Sequence, residues 1–547
     1  MFRTLHSADV PTDIATVARD VGSLVALQAA MMAFSALVAL GFGERYVAVG
    51  FLGAALITAV VGLAARSTFA DAPAPRMKHG MLIASTGWFA TACFGALPFF
   101  LSAHVVPASV MQGYVPAGAA YSSSSLATFT NPLHALFESM SGWTGSGLTM
   151  ATHEPSLPRA IQWWRSFIQW VGGVGVIVLT VAILARPGSG SYALYRSEAR
   201  SKKIHPSIVS TVQTVWKIVV AYTALSTVLL FAAISRSEYG ERVSTGEAAW
   251  QALNHAMTGL TTGGFSVTDN SIATYGSPLV ESVLLPIMTL GAIAFPVHYT
   301  VVADRNPREL LADLQTRWLF GLLVGGGALL AVQNLISIPI AGAAFGGDVA
   351  VLGLSPAETD AARDSIFQFV SALSATGFQS APIGDWSAGG KFITSTAMLI
   401  GGAAGSTVGG IKIIRAYMVG RGAIWQFSRA FLPANAIPVA RIDGRVLNRN
   451  QMDQEFGEAA IVSLLWIGFL ALGSLVLVNL AGPQFTFADA LFEVASAQGN
   501  VGLSTGITGP NMASSAKLMF VFNMWIGRLE IIPVLALARS VIYGLGP

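Results

Sequence analysis

Four short segments of the chain carry related chemistry. They read SGWTGSGLT at 141–149, TGLTTGGFS at 258–266, SALSATGFQ at 371–379 and AQGNVGLST at 497–505. None shows a zinc-protease helix, a nucleophile elbow or a phosphate-binding loop, so hydrolytic and nucleotide chemistry find no support here. What the segments do offer is backbone. Glycine permits the left-handed angles that aim successive carbonyl oxygens to one side, and a ring of such oxygens replaces the hydration shell of a weakly hydrated cation. Superposing Gly147, Gly264, Gly377 and Gly502 places Leu148, Phe265, Phe378 and Leu503 directly after them, at intervals of 117, 113 and 125 residues. Four matches in step indicate a fourfold internal duplication. The competing reading of any single segment is a glycine patch that lets two helices pack closely.

The elements that must position these segments are apolar. Of 547 residues 53% are hydrophobic and 11% charged, the balance of an all-α polytopic membrane protein. Runs near 21–41, 46–65, 80–104, 161–185, 211–235, 277–302, 316–341, 391–424, 458–481 and 515–542 approach or exceed the roughly 20 residues a spanning helix needs. The first two form an N-terminal pair. The other eight form four pairs, each enclosing one Gly/Ser/Thr segment. Before each segment stands a helix-start signal: Asn131-Pro132, Ser244 with Glu247, Ser355-Pro356 with Glu358, and Thr486 with Asp489. These predict short helices of roughly 10–15 residues, too short to span. Each unit is then helix, re-entrant short helix, extended loop, helix, and four units surround one axis. The divisions are 1–70 for the N-terminal pair and 71–200, 201–310, 311–450 and 451–547 for the repeats.

Non-helical backbone at membrane depth is tolerated only where protein buries it or water reaches it. That is why the loops converge on a pathway. Two further interruptions stand out. GGAAGSTVGGIK at 401–412 breaks an apolar run, and Arg528 lies inside the last one, in WIGRLEIIPVL. A buried arginine there faces the pathway, pairs with Glu530 or a carbonyl, or snorkels to the interface. The loops on one side of the spans hold 19 Lys and Arg against 9 acids, and those on the other side 6 against 13, which places the first side in the cytoplasm. The net charge of +3 and scattered basic residues give no nucleic-acid face, and the single cysteine, Cys93, supports no internal disulfide.

On these segments, spacings and interruptions the chain resembles the Trk/Ktr/HKT superfamily of potassium transport proteins, and its extra N-terminal helix pair is most like the bacterial TrkH/TrkG branch. The resemblance implies a single chain folded like four linked potassium-channel subunits in the bacterial cytoplasmic (inner) membrane. It implies potassium uptake through a filter of Thr144, Gly145, Ser146 and Gly147; Thr261, Thr262, Gly263 and Gly264; Ser374, Ala375, Thr376 and Gly377; and Gly499, Asn500, Val501 and Gly502. K+ ions occupy that filter, with no organic cofactor in this chain. The implied gate is the interrupted segment, with Gly401, Gly402, Gly405, Ser406, Thr407, Gly409, Gly410 and Lys412, together with Arg528. Implied partners are a second copy of the chain, a cytoplasmic TrkA-type RCK nucleotide-binding regulatory subunit and the lipid bilayer. No loop reproduces the potassium-channel TVGYG. The alternative is a secondary transporter for another cation or small solute, whose broken helices sit in inverted halves; four repeats in one direction favour the pore.

Overall fold

The computed structural model describes residues 12–184, 208–337, 355–429, 431, 440–442 and 445–544. Two long helices, Thr12–Gly41 and Arg45–Thr68, form the N-terminal pair. They approach closely: a Cβ at Gly62 would meet the Ala26 backbone and one at Gly22 the Ala65 side chain, each under 3.0 Å. Small residues at a helix crossing are how membrane helices gain dispersion contact without a hydrophobic drive.

Four helix pairs follow. The leading helices are Met77–Gly95 continued by Leu97–Val105, then Ile208–Ile234, Leu314–Ser337 and Arg449–Leu480. The short helices are Pro132–Thr144, Thr245–Leu260, Pro356–Leu373 and Phe487–Gly499. Their starts are the predicted ones. Asn131, Ser244, Ser355 and Thr486 are the N-caps, and each side chain accepts a first-turn N–H, worth about 1 kcal/mol apiece. The third helix, at 18 residues, is longer than expected. The apolar exterior of the long helices is open: Leu56 is 67% exposed, Leu464 68% and Ile336 79%, as suits a surface facing lipid.

The closing helices depart most from expectation. Only Arg159–Leu184 is continuous. The run expected as one span at 277–302 is Pro278–Ala292 and Phe295–Ala303 bent by 108°, and that at 515–542 is Ser514–Arg528 and Ile532–Tyr543 bent by 113°. Pro296 and Pro533 explain the breaks, because each is the second residue of the second helix, in the first turn, where its missing N–H costs nothing. At the second bend Glu530 and Ile531 take positive φ of 56° and 71°. The third closing helix is Ala388–Leu399 and Ile413–Arg429 with non-helical backbone between, as the glycine run predicts. Among the described residues six helices are long and apolar enough to cross a membrane, or eight counting the two bent pairs, against ten apolar runs in the sequence. The fold is helical apart from one antiparallel ribbon among the described residues, Ala440–Ile442 with Arg445–Leu447. The division between the first two repeats, at 200–201, lies outside the described residues.

Candidate functional site: a ring of four loops

Each short helix ends in the same way. The residue two before the aligned glycine is left-handed: Gly145 (φ 67°), Thr262 (53°), Ala375 (49°) and Asn500 (57°). The next N–H turns back to a carbonyl five residues earlier, Ser146 to Ser141, Gly263 to Thr258, Thr376 to Ser371 and Val501 to Ser496, at 2.7–2.9 Å. This closes the helix C-terminus as a Schellman turn does. The aligned glycine is then left-handed again, with φ of 72°, 74°, 83° and 110° at Gly147, Gly264, Gly377 and Gly502.

The four loops close into one ring. A Cβ at Gly147 would come under 3.0 Å from the Gly263 carbonyl oxygen; at Gly264, from that of Thr376; at Gly377, from that of Val501; and at Gly502, from that of Ser146. Each glycine thus abuts the next loop's backbone, in one rotational sense. Space as well as φ demands glycine here. Hydroxyls line the approach: Thr144 bonds Ser146 at 2.9 Å and Ser374 bonds Thr376 at 2.8 Å. Asn500 donates from Nδ2 to Ser146 Oγ and to the Met524 carbonyl. Thr261 instead caps the Met257 carbonyl. One quarter differs, since Gln169 donates to the Gly263 carbonyl at 2.6 Å and accepts from the Phe265 N–H at 3.0 Å.

Two further fourfold layers escaped the sequence reading. The outer one joins each closing helix to the next short helix: Arg159 to Glu247, Glu281 to Arg363 at 3.1 Å, Lys391 to Asp489 at 2.6 Å, and Lys517 donating to His134 at 2.7 Å. These run in the same sense as the glycine ring. The other layer is a polar residue nine positions before each aligned glycine: Glu138, His255, Gln368 and Glu493, all buried. Each grips the strand leaving its own loop, at Thr149 and Met150, Ser266, Ser380, and Ser504 to Thr508 respectively. The constant nine-residue spacing was the available signal. Residue type varies from repeat to repeat, which hid it. Arg165 joins the first two quarters, donating to Glu138 at 2.7 Å and to the Ser266 carbonyl at 2.7 Å.

Beneath the ring, on the side of the helix ends, lies the 400–412 segment. Thr407 shares a 2.9 Å hydroxyl bond with Thr262, and a Cβ at Gly409 would strike the Gly499 carbonyl and the Asn500 side chain. Gly401, Gly402, Ser406, Thr407, Gly409, Gly410 and Lys412 are buried and Gly405 half-buried. Gly405 and Gly410 have φ of 80° and 71°. The segment is anchored on the bend of the second closing helix. Ala403 N–H donates to Ala292, the Thr407 N–H and hydroxyl both donate to Gly291, and Phe295 N–H donates to Gly405. Lys412 donates to the Val408 carbonyl.

Arg528, 4% exposed, donates to the Thr407 carbonyl at 2.6 Å and to that of Gly172 at 3.1 Å. A Cβ at Gly145 would lie 3.7 Å from its Nη1, which puts the guanidinium at the foot of the ring. Of the partners considered from sequence, carbonyls hold it. Glu530 bonds Arg415 at 2.8 Å instead. His298, buried, meets the Leu290 carbonyl at 2.9 Å, as a helix-end residue does. Among the described residues no three His, Cys, Asp or Glu side chains gather as a metal site.

Comparison with known proteins agrees with this architecture. Residues 79–543 match the TrkH family model, described as a cation transport protein. An uncharacterized cation transporter of Methanocaldococcus jannaschii is 29% identical over 86% of this chain and 84% of its own. The Trk system potassium uptake protein TrkH of Escherichia coli is 28% identical over 84% and 85%. The crystal structure of the potassium transporter TrkH from Vibrio parahaemolyticus superposes with a TM-score of 0.76 over 97% of this chain and 99% of that one, at 23% identity, a likeness of fold.

Proposed function

The chain belongs to the TrkH family of cation transport proteins, a multi-pass membrane protein and not an enzyme, and from that premise we propose that it takes up potassium across the bacterial cytoplasmic membrane through the ring of four loops. The observation that carries the reading is the closed ring, with left-handed residues at alternate positions of all four loops. Alternating handedness turns successive carbonyls to one side, and carbonyls in rings suit a weakly hydrated cation. The filter is then Thr144–Gly147, Thr261–Gly264, Ser374–Gly377 and Gly499–Gly502, with one quadrant from each of 71–200, 201–310, 311–450 and 451–547. The short helices aim their partly negative C-terminal ends at the same point.

The 400–412 segment and Arg528 form the gate. Arg528 adds a positive charge at the foot of the filter and, through the Thr407 carbonyl, ties down the segment that obstructs the path. Opening means releasing that bond and withdrawing both. The family resemblance supplies the partners, a second copy of the chain and a TrkA-type nucleotide-binding subunit; the excess of Lys and Arg on the cytoplasmic side fits such docking.

The test is flux. Purified chain in liposomes, given opposed potassium and sodium gradients and no organic solute, is expected to pass potassium and rubidium well ahead of sodium. Absence of cation flux unless an organic solute is supplied overturns the reading.

A further inference from the structure

The four buried polar residues behind the ring differ in charge. Glu138 is neutralised by Arg165 at 2.7 Å. His255 bonds Ser266 and Tyr275, and Gln368 donates to Ser380. Glu493 is alone. Its oxygens accept from the Ser504 hydroxyl at 2.6 Å, the Thr505 N–H at 2.8 Å and hydroxyl at 3.2 Å, the Ile507 N–H at 3.2 Å and the Thr508 hydroxyl at 2.7 Å. All five groups, on four residues, donate, the pattern of an acceptor-only carboxylate. Among the described residues no Lys, Arg or His pairs with it, and it has no exposure to solvent.

We infer that Glu493 is a positioning residue of the filter that also supplies its one uncompensated buried anion, raising the affinity of the outer filter for a cation. The inference rests on the reading of the loops as a filter. Neutral hydrogen bonds spread the charge without cancelling it, so its field reaches the filter loop, which ends at Gly502, two residues before Ser504. At an effective dielectric of about 20, a unit charge roughly 8–25 Å from the ion shifts affinity by roughly threefold to thirtyfold. The same position in the first repeat has its charge cancelled by Arg165, which makes the ring electrostatically lopsided toward the fourth repeat.

The experiment measures half-saturating potassium and maximal flux in liposomes, together with melting temperature, for the full chain and three variants. Glu493→Gln keeps shape and removes charge, so half-saturation is expected to rise at least threefold with maximal flux largely kept. Glu493→Asp keeps charge and restores most of the affinity. Thr508→Lys, at a half-buried position, leaves the carboxylate in place and sets an ammonium beside it; half-saturation is expected to rise as in the Gln variant, and this decides the matter if the Gln variant does not fold. Unchanged half-saturation in folded Glu493→Gln or in Thr508→Lys overturns the proposal. A merely structural role lowers melting temperature and flux together and leaves Thr508→Lys at wild-type affinity, which also overturns it. Absence of potassium flux in the unmodified chain defeats the filter reading itself, a distinguishable result.

Discussion

Above the glycine ring the molecule repeats itself, and below it the four quarters diverge. The outer half has four equivalent caps, four left-handed turns, four clamps and four polar braces. The inner half has one continuous closing helix, two bent ones and one interrupted over 400–412, with a single arginine reaching across from the fourth quarter to carbonyls of the first and third. Holding an ion equally from all sides requires equivalent groups, whereas obstructing a path requires only one obstacle. On the proposed reading, the duplicated ring is what holds the ion and the divergent inner half is what moves.

The largest effect that tests this contrast belongs to the outer half. Gly377→Ala adds a Cβ against the Val501 carbonyl at φ 83°, a conformation that costs an alanine about 1–2 kcal/mol before any clash. The loop shifts, and the ratio of potassium to sodium flux is expected to fall at least tenfold; an unchanged ratio removes Gly377 from the filter. Next is Arg528→Ala in the inner half. Flux per folded protein is expected to rise severalfold while the order of ion preference stays as it was, with Arg528→Lys in between because it keeps charge but loses the two-pronged grip. A lowered melting temperature with no gain in flux makes the arginine a strut and erases the contrast.

A smaller effect concerns the clamps. Lys391→Met leaves Asp489 without its cation, though Thr486 still donates to it. Breaking one buried pair costs about 3 kcal/mol, so the melting temperature is expected to drop by a few degrees with ion preference intact. The smallest is a pH effect at Glu154, outside the spans on the outer side. Burial pushes its carboxyl up to about 8, opposed in part by Arg165. A carboxyl raised in the folded state holds its proton there longer than in the unfolded chain, so stability is greatest below the ordinary glutamate value of 4.5 and declines as pH climbs toward 8. Glu154→Gln is expected to flatten the melting temperature between pH 5 and 8; an equal slope in both proteins places the titration elsewhere.

The outer half was largely legible in the sequence because local signals dictate it. Caps, glycines and their register are short-range, and Asn131, Ser244, Ser355 and Thr486 announced the short helices directly. The interrupted segment was equally plain, since a glycine run cannot continue a helix. The bend at 292–295 was hidden by unbroken apolarity, with Pro296 its local cue, and that at 528–532 lay in a run interrupted by Arg528 and Glu530, with Pro533 its local cue. The choice of carbonyls over Glu530 by Arg528 was not legible at all. It depends on Arg415 arriving from a helix more than a hundred residues away to claim that carboxylate.

The bend of the second closing helix leaves Gly291 and Ala292 with carbonyls that no later turn of that helix can satisfy, and the 400–412 segment meets exactly this need from another repeat. In hydrocarbon neither break is viable alone. A lineage that healed the 292–295 bend into a straight helix would leave the amides of Ala403 and Thr407 without acceptors, and one that healed 400–412 would strip the bend of its donors. The two interruptions therefore depend on each other, and a substitution that straightens either one is expected to strand polar backbone groups of the other, more than a hundred residues away in the chain.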